Sequence, residues 1–385
     1  MQIIDLDGNS YERGFRQGRQ LKNDYEEMID LFFNSDLWNE NKPGPIPNSV
    51  IKFLFGVLGT TMTKKAVRKY LPYQFDRVNG IAEGLCEGNR FTWGVQFLEI
   101  LFCEAGKSLK VPGGCTQVHA TPKSTADGVP LSGRNYDFPN LLKDYQVVRR
   151  DVPEDSNRLA TLTVTQAPLI GAHQGMNEAG LMVACNNSRQ WKGKDFNYKG
   201  VPYMLLVMEI LETCKNVKEA SEFMVDFPLR GNAGFMGMID ESGDCCVVEF
   251  TSSRARIRRP DESGVIAQTN HFHAMKEANL PEGTYWDTPG MQGLLYATSS
   301  LKRFDAADSL LHEAAGEITI DTLKKILSDH SGNDGVGDDN TVCCHGETGS
   351  TLSSIIFDIK NRVLHVAEGN PCEGEFIEVP FRFRD

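Results

Sequence analysis

From Asn9 onward, apolar side chains recur every three to four residues, at Phe15, Leu21, Tyr25, Met28, Ile29 and Phe32. That spacing lines one face of a helix. Asn9 followed by Glu12 is a start signal for it, because each side chain can cap a backbone N–H near the other. Gly14 and Gly18 fall on the same face and predict close packing against another helix. A proline- and asparagine-rich loop, Asn39 to Asn48, breaks the pattern, and helical periodicity returns over residues 50–70 and 74–106. Val111-Pro112-Gly113-Gly114 then forms a run of helix breakers.

Beyond Cys115 the pattern turns to strands, at Thr161 to Thr165 and Leu181 to Cys185. One hairpin is predicted from Phe235–Ile239 through Glu241-Ser242-Gly243-Asp244 to Cys246–Phe250, and a second pairs Ser353–Asp358 with Arg362–Val366. Helices are expected over Met204–Cys214, Val217–Phe227 and Phe304–Ala314. Strands and helices come in groups rather than in strict alternation, which points to a layered α+β protein. The polar, glycine-rich Ser331–Asn340 reads as an ordered turn in preference to a calcium loop. The chain thus divides into a helical segment, 1–114, and a strand-rich one, 115–385.

Composition narrows the function classes. With 385 residues, 40% of them hydrophobic and 24% charged, the chain can bury a large core. A net charge of −12 argues against nucleic acid or an anionic membrane surface as partner. The most apolar run, Phe53–Met62, is half the length a membrane-spanning helix needs. Residues 1–15 carry no basic stretch leading into an apolar one, so a cytoplasmic location is expected, with a trimmed export signal left open. The ten cysteines lack the dense, even spacing of a disulfide scaffold and are expected to be reduced.

Gly114-Cys115 lies where helices give way to strands, a place where the chain can be cut without dividing a core. A cysteine thiol can attack the carbonyl before it and move the acyl group from nitrogen to sulfur, and a preceding glycine removes steric hindrance. Hydrolysis of that thioester would leave Cys115 with a free α-amino group of pKa about 7.7–8.0, able to activate its own thiol. No catalytic histidine is then needed. The eight histidines form no HExxH metal pair, and the adjacent pairs Cys245-Cys246 and Cys343-Cys344 lack the spacers of structural zinc sites. These thiols are read as core or pocket lining, and neither cofactor nor metal is expected.

Gly113-Gly114-Cys115-Thr116-Gln117-Val118, followed by Gly133-Arg134-Asn135-Tyr136-Asp137-Phe138, resembles the nucleophile strand and next strand of choloylglycine hydrolases, acid-ceramidase-like amidases and isopenicillin N acyltransferases. The last branch is the most similar, and the likeness spans nearly the whole chain. Gly8–Gly14 through Gly18 is similar to its N-terminal helix, and Ile81-Ala82-Glu83-Gly84 to its helix before the cleavage site. Gly175–Asn186, Thr269-Asn270-His271 and Ser299–Phe304 resemble segments that supply site residues.

The resemblance implies an αββα sandwich of two antiparallel sheets flanked by helices, the fold of N-terminal-nucleophile hydrolases. It also implies autocleavage between Gly114 and Cys115, with Cys115 as nucleophile. Arg134 would stabilise the thiolate, Asp137 would hold the α-ammonium, Asn270 and Asn186 would donate to the oxyanion, and Arg303 would be a second active-site arginine; Asn186 and its neighbour Asn187 are not separable at this level. Thr341-Val342-Cys343-Cys344-His345 departs from the arginine-bearing segment of the penicillin-forming enzyme, so a β-lactam precursor is not implied. The expected substrate is a small N-acyl amide, with hydrolysis, acyl transfer or an uncleaved binding scaffold, and homo-oligomerisation, all left open.

Overall fold

A computed structural model describes residues 1–42, 44–86, 89–102, 114–167, 169–188, 195, 197–279, 296–347 and 349–381. The N-terminal segment starts with a strand, β1 (Gln2–Gly8), and continues through helices α1 (Ser10–Gln20), α2 (Lys22–Asn34), α3 (Asp36–Asn41), α4 (Asn48–Leu58), α5 (Lys64–Tyr70), α6 (Pro72–Gly84) and α7 (Asn89–Phe102). Asn9 caps α1 with the reciprocal Asn9–Glu12 pair. The Asn39–Asn48 break is shorter than expected, since α3 reaches Asn41 and α4 begins at Asn48. Val111–Gly113 and the end of the 74–106 helical stretch lie outside the described residues.

After Gly114 come β2 (Cys115–Ala120), β3 (Leu131–Pro139), β4 (Gln146–Pro153), β5 (Thr161–Gln166), β6 (Gln174–Asn177) and β7 (Leu181–Asn187). Helices α8 (Tyr203–Thr213) and α9 (Val217–Asp226) separate these from β8 (Gly234–Asp240), β9 (Cys245–Phe250), β10 (Ala255–Arg258) and β11 (Val265–Gln268). The chain closes with α10 (Tyr296–Glu313), α11 (Ile320–Leu327), β12 (Gly349–Asp358), β13 (Val363–Glu368) and β14 (Ile377–Pro380).

Two sheets result, in the orders β1-β4-β5-β6-β7-β8-β9-β10 and β11-β2-β3-β12-β13-β14. They pack face to face where β2 meets β7 and β8, with α8 and α9 over the first sheet and α10 and α11 over the second. This is the expected αββα sandwich. One pair departs from the antiparallel rule: β1 runs parallel to β4 at the sheet edge. The segment 1–114 is therefore not purely helical; Ile4 and Leu6 alternate with exposed Ile3 and Asp5 and dock it onto the sheet.

Alternation on β7 shows how the layers are made. Leu181, Val183 and Cys185 join the apolar layer under the helices, while Met182 and Ala184 point between the sheets beside Phe235, Ile355 and Phe357. Because both faces are covered, β7 reads as an apolar run in the sequence. On the helical side, α1 crosses α6 at contact distance. A Cβ at Gly14 would lie 2.2 Å from the Arg77 carbonyl oxygen, and one at Gly80 would lie 2.1 Å from that of Tyr11. The glycine face read from the sequence is a helix crossing that admits no side chain.

Candidate active site

Cys115 opens β2, buried, with its backbone paired to Tyr136 on β3. Arg134 Nη2 donates to Cys115 Sγ at 3.0 Å. The guanidinium is held by four further contacts: Nε to Asn186 Oδ1 at 3.1 Å, Nη2 to the Cys185 carbonyl at 2.7 Å, Nη1 to His173 Nδ1 at 3.3 Å, and the Tyr136 ring 5.2 Å from its carbon. Burial pushes the Cys115 thiol up, and Arg134 opposes that push. Burial, reinforced by Arg134 and Arg149, holds His173 well below the usual imidazole range, so it stays neutral and accepts from Arg134. His173 also stacks on Tyr136, centroids 4.2 Å apart.

The residue before the nucleophile is held as tightly. Gly114 N–H donates to the Asp137 carbonyl and the Gly114 carbonyl accepts from Asp137 N–H, each at 3.1 Å. The carbonyl that Cys115 would attack thus already faces a backbone donor. A Cβ at position 114 would lie 2.6 Å from Arg303 Nη2. Arg303, from α10, cannot swing aside freely, since Nη1 donates to the Cys115 carbonyl at 2.8 Å and to Thr116 Oγ1 at 3.1 Å, and Nη2 to Asn270 Oδ1 at 2.8 Å. Glycine is required here by the approach of an arginine.

Asn270 lies in the turn after β11, and its Oδ1 also accepts from Cys115 N–H at 3.0 Å. Two donors on one oxygen fix the orientation of the amide, and Nδ2 donates to the Asn187 carbonyl at 2.8 Å. In the uncut chain the Cys115 N–H therefore meets Asn270. Asp137 is fully buried; Thr351 Oγ1 donates to its Oδ1 at 2.8 Å, and its Oδ2 has no hydrogen-bond partner among the described residues. Burial raises its pKa, and Arg303, Thr351 and Arg134 offset this only in part.

Asn186 sits between the sheets, as strand alternation requires. Its Nδ2 donates to the carbonyls of Cys115, Gln268 and Thr269 at 3.0–3.3 Å, and its Oδ1 accepts from Gln117 at 2.8 Å and from Arg134. Every polar atom of that amide is engaged, so it positions Arg134 and β2. Asn187, one residue on, lines the pocket instead. All six predicted side chains converge on one point from β2, β3, β7, the β11 turn and α10.

Above them opens a narrow cavity. Cys115, Arg134, Asp137, His173, Asn187 and Asn270 form its polar end, and its walls are Met28, Ile29, Phe32 and Phe33 from α2, Val95 and Leu98 from α7, and Phe138, Leu142, Leu169, Tyr203 and Met204. Glu99, also in the wall, went unnoticed in the sequence, although a lone carboxylate inside Phe97-Leu98-Glu99-Ile100-Leu101 was a visible anomaly. Burial pushes it up to about 8, opposed by one backbone donor, Met204 N–H. The share of α2 and α7 in the pocket was not legible either, because helical spacing says which face is buried and not against what.

The sequence pattern of the family described as acyl-coenzyme A:6-aminopenicillanic acid acyl-transferase matches residues 124–373, more than half of the chain, a span that includes Arg134, Asp137, Asn186, Asn270 and Arg303 but not Cys115. The chain belongs to this family. Its membership places it in the N-terminal-nucleophile superfamily. Protein dcd1A of Dictyostelium discoideum is 25% identical over 279 residues, which is 66% of this chain but only 59% of that protein. Among solved structures, a Caenorhabditis elegans ortholog of N-acylethanolamine-hydrolyzing acid amidase is 15% identical, covering 63% of this chain and 92% of its own, with a TM-score of 0.45. Penicillin V acylase from Agrobacterium tumefaciens is also 15% identical, covering 66% of this chain and 83% of its own, with a TM-score of 0.42. A mutant conjugated bile acid hydrolase from Clostridium perfringens is 13% identical, covering 69% and 97%, with a TM-score of 0.39. No helix among the described residues is long and apolar enough to cross a membrane.

Proposed function

We propose that this chain is an amidohydrolase that activates itself by breaking the Gly114–Cys115 bond and then uses Cys115 as its nucleophile. The observation that carries this reading is the joint placement of the Cys115 thiol against Arg134 and of the Gly114 carbonyl against a backbone N–H, at the polar end of an apolar cavity. In activation, the thiol adds to the Gly114 carbonyl, its proton passes to the Cys115 nitrogen as the C–N bond breaks, and water hydrolyses the thioester. The products are a Gly114 carboxylate and a free Cys115 amine and thiol. Asp137, buried with one undonated oxygen, is the group that would receive the new α-ammonium.

In turnover the α-amine takes the thiol proton, and the thiolate attacks the carbonyl of an N-acyl amide. Asn270, lining the pocket, stabilises the oxyanion, with Arg303 holding its amide in place. The amine leaves with the proton, and water resolves the acyl-enzyme. The walls from α2 and α7 fit an apolar acyl group, so both parts of the chain stay together after cleavage. Acyl transfer to an amine is the second reading, supported by the family's description and by the apolar walls of the cavity, which disfavour water.

Denaturing electrophoresis and intact mass of purified protein test the first step. Fragments of residues 1–114 and 115–385 are expected, with Cys115→Ala remaining whole and losing turnover of N-acyl amides by on the order of 10⁴-fold or more. A wild-type chain that stays in one piece after prolonged incubation would make this an uncleaved scaffold and end the proposal. Acyl-CoA donors and amine acceptors, added in the same assay, separate transfer from hydrolysis.

A further inference from the structure

The loop before β12, the turn after α11 and the loop after β13 bring four metal-ligating side chains together at one end of the antiparallel pair β12–β13. His330, Cys343, His345 and Cys372 each place one ligand atom within 4.8 Å of all the others. Cys343 Sγ lies 3.5 Å from Cys372 Sγ and 3.3 Å from His345 Nε2, and His345 Nε2 lies 3.2 Å from Cys372 Sγ. Zinc–sulfur and zinc–nitrogen bonds of about 2.3 and 2.0–2.1 Å at tetrahedral angles put neighbouring ligand atoms roughly 3.3–3.8 Å apart. These three edges fall within or just below that range.

The surroundings are those of a metal site. His345 presents Nε2 to the thiols while its Nδ1 faces Glu373 Oε1 at 3.9 Å, the carboxylate–histidine arrangement that orients an imidazole for a metal. His330 Nε2 is buried without a hydrogen-bond partner among the described residues. Asn370 Nδ2 points at Cys343 Sγ from 3.6 Å, a donor suited to a thiolate. We propose that His330, Cys343, His345 and Cys372 bind one structural Zn²⁺ ion, tetrahedrally and with no open position.

This site differs from the one considered and set aside on the sequence, which combined Cys343-Cys344-His345 with Cys245-Cys246. Those last two are core residues of β9, on opposite faces of the strand. Cys343 and His345 are two residues apart, but Cys372 lies 29 and 27 residues beyond them, so no compact spacer motif announces the set. The ion would brace a segment that reaches the active site. Cys344 N–H donates to Thr351 Oγ1 at 3.0 Å, and Thr351 Oγ1 donates to Asp137. Binding of zinc would release the two thiol protons and join three loops, stabilising the folded chain without touching substrate.

The test uses the full chain, purified under reducing conditions and stripped of metal with a chelator. Titration with ZnCl₂ against a chromophoric chelator should show one tight equivalent. Co²⁺ in its place should give the intense visible bands of a tetrahedral ion and a near-ultraviolet thiolate charge-transfer band. Cys372→Ser and His330→Ala should each weaken zinc binding by about 100-fold or more, given that even outer partners of a metal ligand are worth 10–100-fold; Cys86→Ser, an exposed thiol outside the cluster, should not. The cobalt spectrum needs no variant, so misfolding of a variant does not leave the question open. Failure of the reduced protein to take up an equivalent of zinc, an octahedral cobalt spectrum, or a native Cys343–Cys372 disulfide overturns the proposal.

Discussion

Two aspartates on neighbouring strands in the sequence, Asp137 on β3 and Asp151 on β4, are both removed from water, yet they are held in opposite ways. Asp151 meets Arg77 Nη2 at 2.7 Å and Arg13 Nη1 at 3.3 Å, and these cations, outweighing burial, bring its pKa below the ordinary value. Asp137 has two arginines in its neighbourhood, but their nitrogens point at Cys115 Sγ, backbone carbonyls and Asn270, and burial leaves its pKa raised. The first is an ion cluster, shared with Glu212, in which arginine nitrogens meet the carboxylates directly, and it ties α1 and α6 to the sheet. The second is an incomplete one, into which a new cation could fit. A buried charge with its partners in place is structure; one without them is poised for a change of state.

That contrast can be broken from either side. Asp151→Asn should leave Arg13 and Arg77 with less compensation and cost about 3–5 kcal/mol of stability, read by denaturant unfolding. Its pH signature follows from the sign of the shift: a depressed pKa contributes stability above the ordinary value of 3.8 that is lost as pH falls, so wild type and variant should converge in acid. Asp137→Asn should do the reverse, keeping or raising Tm at neutral pH, because a raised pKa contributes stability only at low pH and loses it as pH rises. Processing and turnover should nevertheless fall by roughly 10²–10³-fold. If both variants lose stability alike and activity alike, the distinction between the two aspartates fails.

Glu99 extends the comparison to a buried carboxyl with no cation beside it among the described residues. Its pKa of about 8 against 4.5 in the open chain means that wild type loses stability relative to Glu99→Gln as pH rises from about 5 to 8, by on the order of 3 kcal/mol in total. Parallel Tm profiles of the two proteins over that interval would show that the group is already ionised. The smallest effect should come from Asn9→Ala, which removes the cap of the helix carrying Arg13: about 1 kcal/mol of stability, with turnover per folded molecule unchanged.

Local pattern was legible where one residue's neighbours in sequence are also its neighbours in space. The α1 capping box, the Phe235–Phe250 hairpin and the glycine face of α1 are such cases. Strand β1 shows the limit, since alternation over Gln2–Gly8 was present but its parallel partner β4 lies about 145 residues away. The pairing of Asn186 with Arg134, and the outward turn of Asn187, needed only the two-residue period of a strand, once β7 was known to lie between the sheets.

What the sequence by itself determined is a helical segment and a strand-rich one, a glycine–cysteine junction between them, and five further side chains of the right chemistry downstream of it. Tertiary structure decided which of those side chains face the cavity, that helices from the first segment wall it, and that Asp137, Glu99 and the Cys343 cluster lack or find their partners. The reason is physical: a pattern along the chain reports which face is buried, whereas the state of a buried charge or thiol depends on groups brought within about 4 Å by other elements.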